Sequence, residues 1–236
     1  MAYFESKNST GREHSIAKYV VLFLAGSLTL SANMIFFSKN DEIDFLSLMI
    51  IVGVIGCLIV SISRKVNPLA WKKLLDKKGY ELSCSQMNQV TQTLKALDDS
   101  YFIFSNFTLE LFQVDHLVIS DKGFFVIARI PFQGDIQITN GRLLAGSKNL
   151  DRMASRVWQV SHMINKIVMK GYEDCDVMPV PVLVATDSVT ICVREFNGIA
   201  VLPICALKDF IVGTTTNAMD KSFAESFAFY IKKRYM

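Results

Sequence analysis

Two stretches of this chain carry no charge at all. Tyr19 to Phe37 (YVVLFLAGSLTLSANMIFF) and Phe45 to Ser63 (FLSLMIIVGVIGCLIVSIS) are each 19 residues long. At about 1.5 Å per helical residue such a run spans roughly 28 Å, close to the hydrocarbon thickness of a bilayer. The pattern predicts a two-helix transmembrane hairpin, with residues 19–37 and 45–63 as the spans. Residues 38–44 (SKNDEID) form the connector, with one lysine and three acids. Lys7, Arg12 and Lys18 precede the first span, while Arg64, Lys65, Lys72, Lys73, Lys77 and Lys78 follow the second. Cationic flanks stay on the cytoplasmic side of a membrane. Residues 1–18 and everything after 63 are therefore expected in the cytoplasm and the acidic connector outside, a two-pass arrangement in the inner (cytoplasmic) membrane. Ser27 and Ser31, and Gly53, Gly56 and Cys57, are small residues that allow close helix contact within the spans.

Beyond the spans the pattern changes character. Residues 64–80 form a basic juxtamembrane linker or helix with Leu69, Trp71, Leu74 and Leu75 as its apolar positions, and its lysines suit anionic lipid head groups. Residues 81–236 make the expected cytoplasmic domain. Ser85 to Leu97 has apolar residues at the three-and-four spacing of a helix. Strands are expected over Tyr101–Leu111, Val114–Ser120 and Gly123–Ile130, the last two joined by a tight turn at Asp121-Lys122. A second hairpin, 134–138 with 142–145, turns at Asn140-Gly141. An amphipathic helix over Leu150–Met169, strands at Val180–Ala185 and Ile199–Leu202, and helices at 204–212 and 221–235 complete a mixed α/β core. About 160 residues of this kind suffice to fold independently.

Composition narrows the chemistry. A formal charge of +3 is too small to demand a nucleic-acid partner. The five cysteines, at 57, 84, 175, 192 and 205, contain no C-x-x-C pair, which suits reduced thiols better than a disulfide framework or zinc site. His14, His116 and His162 lie too far apart in sequence to form a local metal motif. No dinucleotide fingerprint, P-loop or nucleophile elbow is present.

One stretch does carry a recognisable order of residues. Val114-Asp115-His116-Leu117-Val118-Ile119, then Gly123-Phe124-Phe125-Val126-Ile127, then Gly134-Asp135-Ile136 resemble the nuclease-related domain (NERD) family, a branch of the restriction-endonuclease-like fold. The resemblance implies a mixed sheet flanked by helices. It also implies a divalent-metal site built from acidic groups, with a lysine that positions the attacking water. Hairpin register tests whether those groups exist. With Asp121-Lys122 as the turn, Asp115 falls opposite Ala128, and residues 128 and 130 share a face. The family's glutamate thus maps to Ala128 and its lysine to Ile130, while its helical acid maps near Gln86 or Met87. All are lost here, and a lone carboxylate is a weak magnesium site. No metal, cofactor or catalysis is therefore expected of the remnant positions Asp115, Ala128 and Ile130.

The expected function is a membrane-anchored, non-cleaving nuclease-like domain that acts as a binding or scaffold subunit of a bacterial membrane assembly. DNA transfer, secretion and defence stay open as its setting. Its expected partners are the bilayer and other membrane-complex proteins or a second copy. Nucleic acid stays open as a further partner, through a basic surface of Arg129, Arg142, Lys148, Arg152 and Arg156. Two rivals remain: an active membrane-bound nuclease whose acid has migrated to Glu110 or Asp135, and an assembly subunit that never meets nucleic acid.

Overall fold

The computed structural model describes residues 2–6, 77–172, 177–186, 190–216 and 219–236, together with positions 26, 53, 56 and 61. Apart from those four positions, both apolar runs lie outside the described residues. Among the described residues no helix is long and apolar enough to cross a membrane. The chain divides into two compact units, Met1–Lys7 with Ser83–Met236, and Asn8–Leu82. The first contains the fold described below.

Its elements are β1 (Tyr3–Ser6), α1 (Lys77–Lys95), β2 (Phe102–Leu109), β3 (Phe112–Ser120), β4 (Gly123–Ile130), β5 (Ile136–Thr139), β6 (Arg142–Ala145), β7 (Lys148–Asn149), α2 (Asp151–Gly171), β8 (Val180–Ala185), β9 (Glu195–Phe196), β10 (Ile199–Pro203), α3 (Ile204–Gly213) and α4 (Lys221–Tyr235). Seven strands form a mixed sheet in the order β1-β2-β3-β4-β8-β10-β9, and β5-β6-β7 form a separate small sheet. The expected hairpin register holds: Ser120 faces Gly123 and His116 faces Ile127. From β4 the sheet continues in parallel, with Ala128 beside Leu183 and Ile130 beside Ala185.

The central strand explains why GFFVIARI reads as one apolar run. Phe124, Val126 and Ile130 enter a core shared with Val157, Ile164 and Val168 of α2 and with Phe227 and Ile231 of α4. Phe125 and Ile127 enter the opposite core, with Val90 and Leu94 of α1 and Leu207 and Ile211 of α3. A strand covered by helices on both faces has no polar side to alternate with. The result is a three-layer α/β/α domain.

One strand was not foreseen from the sequence. The sequence marks residues 1–18 only as a cytoplasmic N-terminal segment with no strand in it, and β1 pairs in parallel with β2 from Tyr3/Phe102 to Ser6/Ser105. The Ala2 and Tyr3 amides donate to the Leu97 and Tyr101 carbonyls at 3.3 and 3.1 Å. Likewise, α1 starts earlier than the expected helix, because its first turns lack the apolar spacing that marks a buried face.

The β3–β4 turn is clamped by the segment between α3 and α4. The Thr216 and Met219 amides donate to the Lys122 and Asp121 carbonyls at 3.0 and 2.8 Å. Gly123 has φ +152°, and a Cβ there would lie 2.2 Å from Thr216 Oγ1. Gly123→Ala is therefore expected to destabilise the domain by about 2–3 kcal/mol, strain and clash together. Adding Thr216→Ala should relieve the clash alone. A double variant no more stable than the single one in a thermal melt would show that the contact is not the cause.

Candidate functional site

The site expected from the sequence is built where β3 and β4 part company. Their regular pairing ends at His116/Ile127, while β4 keeps pairing with β8 as far as Ile130. On the other side of β3, pairing with β2 skips one position. Ser105 faces His116 and Phe107 faces Val114, leaving out Asn106 and Asp115. Asn106 has φ +56°, a left-handed conformation that Asn tolerates better than most residues. Its effect is visible in the packing: Phe104 and then Phe107 and Leu109 all enter the same core, so the strand's alternation changes phase at Asn106.

Asp115 sits at this break. Its Oδ2 accepts the Arg129 backbone amide at 3.3 Å, so the carboxylate takes a backbone donor released where the ladder ends. It also lines a cavity of about 60 Å³ with Val114, Ile127, Ala128, Met153 and Arg156. That is room for about two waters. Burial pushes the Asp115 carboxyl above the usual carboxylate range, and the positive charges of Arg129 and Arg156 oppose that rise. Arg156 is held at the cavity by an Nη2–H bond to the Gln113 carbonyl, 2.7 Å.

The other two family positions bring nothing polar to this cavity. Ala128 packs against the α2-side core and Ile130 is 1% exposed within it. Gln86, at the position of the helical acid, is buried and accepts a hydrogen bond from Arg129 Nη1 at 3.0 Å. The residues present do not fit a divalent ion: the cavity offers one carboxylate beside the Arg156 guanidinium, and the Arg129 charge also acts on that carboxylate, so an ion of charge +2 would find one ligand and nearby positive charge. Among the described residues no three His, Cys, Asp or Glu side chains gather as a metal site. Glu110 and Asp135 do not line the cavity. Glu110 accepts from Tyr235 Oη at 2.8 Å and pairs with Arg234 at 3.4 Å, and Asp135 accepts the Thr190 amide at 3.3 Å.

His116 points to the opposite face. It is fully buried, its Nδ1 lies 2.7 Å from Ser105 Oγ, and its Nε2 has no hydrogen-bond partner. Burial, with the Arg129 charge adding to it, lowers its pKa to about 3. A neutral, enclosed imidazole cannot meet a substrate, and a serine beside it is equally shut in.

The five basic residues grouped from the sequence do not share one surface. Arg129 is partly buried and turned toward α1 through Gln86. Period-two alternation carried this signal, since a residue between 128 and 130 takes the other face. Arg142 and Lys148 are exposed on the small sheet, and Arg152 and Arg156 are exposed one turn apart on α2. The Leu143 amide donates to Asp151 Oδ1 at 3.3 Å, joining β6 to the start of that helix.

The described residues form a mixed α/β domain whose central hairpin ends in a carboxylate beside a helix-lined cavity. Residues 83–184 match the family model of the nuclease-related domain, NERD, from within α1 to the penultimate residue of β8. The resemblance read from Asp115-His116 and GFFVI is thereby borne out. No curated protein and no solved structure gives a significant match.

Proposed function

We propose that this chain is a membrane-tethered nuclease-related module that binds rather than cuts. The observation that carries this reading is the make-up of the site. Asp115 is spent on the Arg129 backbone amide, and methyl groups of Ala128 and Ile130 stand where a second acid and a water-positioning lysine belong. Without a paired carboxylate there is nothing to hold a metal, and without a cation beside it no group activates water. The uncharged runs 19–37 and 45–63 are the tether, placing the domain at the cytoplasmic face of a bacterial membrane as a binding or scaffold subunit of a larger assembly. The exposed Arg142, Lys148, Arg152 and Arg156 favour an anionic partner, for which nucleic-acid phosphates are the chemistry nearest the family.

The full chain in detergent is expected to show no magnesium- or manganese-dependent cleavage of single- or double-stranded DNA or RNA above an Asp115→Ala control. Metal-dependent cleavage abolished by Asp115→Ala would overturn the reading in favour of an active nuclease. Salt-sensitive DNA retention weakened by Arg152→Glu with Arg156→Glu would support the anionic partner. No retention of DNA even at low salt would point to an assembly role without nucleic acid.

A further inference from the structure

β1 precedes both apolar runs and α1 follows them, yet β1 and α1 from Ser83 onward belong to the same folded unit. We infer that the chain between β1 and α1 crosses its membrane an even number of times. The inference rests on the membrane tether proposed above and reaches an even count from strand pairing, independently of charge placement.

The closure is a built contact and not a chance alignment. Four residues of β1 pair with β2 in register, and α1 and α4 hold the strand from its two faces. On one face Ala2 is buried and Phe4 packs in the core shared with Val90 and Leu94, with Lys95 Nζ 4.2 Å from the Phe4 ring centroid. On the other, Lys232 Nζ reaches Glu5 at 3.3 Å and Tyr3 Oη at 2.5 Å, and the Tyr3 ring lies 6.0 Å from that of Phe102. Adjacent strands lie about 4.8 Å apart, whereas the hydrocarbon core is about 30 Å thick and admits no open sheet edge. β1 and β2 therefore occupy the same aqueous compartment. A chain that leaves from β1 and returns at α1 has one or three crossings forbidden to it, and the two uncharged runs supply two.

Parity and closure are read separately. Tags placed before Met1 and after Met236 are expected to be digested together in inside-out vesicles and protected together in right-side-out ones. Digestion of one tag alone would overturn the even count. In membranes carrying the chain with its native cysteines replaced by serine, oxidation of a Tyr3→Cys, Phe102→Cys pair is expected to give at least tenfold more intramolecular disulfide than a Tyr3→Cys, Lys148→Cys control. Equal yields would overturn the closure even if both tags share a face. Release of the chain by alkaline carbonate would instead overturn the tether, and the cross-link would still report on β1.

Discussion

Ile130→Lys is expected to destabilise the domain by about 3–5 kcal/mol, the cost of an unpaired charge in a packed interior. For a domain of this size that is a fall of roughly 10 °C in melting temperature. The substitution restores the residue that the family's chemistry uses, so the size of the loss measures how far the site has been converted to core. Ile130 packs among Val126, Leu183 and Ala185 with 1% of its surface exposed. Adding Ala128→Glu places a carboxylate at the 60 Å³ cavity and one strand period from the lysine. The pair is expected to recover about 1–3 kcal/mol through mutual attraction. With Asp115 it would also rebuild an acidic pair, so manganese should raise the melting temperature of the double variant and not that of the parent chain. If Ile130→Lys melts with the parent, the position is not core and the account of a filled cleft is wrong.

Acid is expected to weaken the parent domain through His116. An unfolded histidine takes up a proton near pH 6.5, whereas His116 in the folded state resists until about pH 3. Between these values the unfolded chain binds more protons, so stability falls as pH falls across that window. The loss is about 2 kcal/mol at pH 5 and on the order of 4–5 kcal/mol by pH 3. Groups that could offset it are few. Ser105 meets the ring at 2.7 Å and Arg129 repels its charged form, while Gln86 on α1 accepts from Arg129. Asp115 acts with the opposite sign. Its raised value makes the folded state hold a proton more readily than the unfolded chain, so its share of stability grows on acidification. Comparing the parent with His116→Gln cancels that contribution. Melting temperatures of the variant should change less between pH 7 and pH 5 than those of the parent. Parallel curves would show that His116 is not the acid-sensitive group.

The sequence exposes some parts of this fold better than others, for physical reasons. β8 reads correctly because VPVLVA is apolar throughout, rich in β-branched valine and short for a helix, which suits a strand buried on both faces. The β3–β4 register from His116/Ile127 to Ser120/Gly123 follows from a two-residue turn, whereas the expected pairing of Asp115 with Ala128 lies one step beyond the end of the ladder. The Asn140-Gly141 turn is equally plain, since both residues have positive φ, 53° and 72°. β1 is hidden because YFES is too short to show alternation and its partner lies almost a hundred positions away. β9 is only two residues long, too short for any periodicity. The phase change at Asn106 also leaves no local mark, as an asparagine inside a strand is equally at home in a loop. Within the site, the loss of the acid and the lysine is legible. That Asp115 caps the Arg129 amide, and that Gln86 takes the arginine side chain, depends on how β3 splays and could not be read from spacing.

The pairing of β1 with β2 also fixes an order of events during synthesis. Residues 3–6 leave the ribosome before residues 102–105 and find no partner until those have followed. Until then β2 presents a bare backbone edge, the kind of edge that recruits neighbouring chains. Contacts between such distant residues form slowly. β1 thus waits for a partner made about a hundred residues later, and β2 is open to self-association until β1 seals its edge.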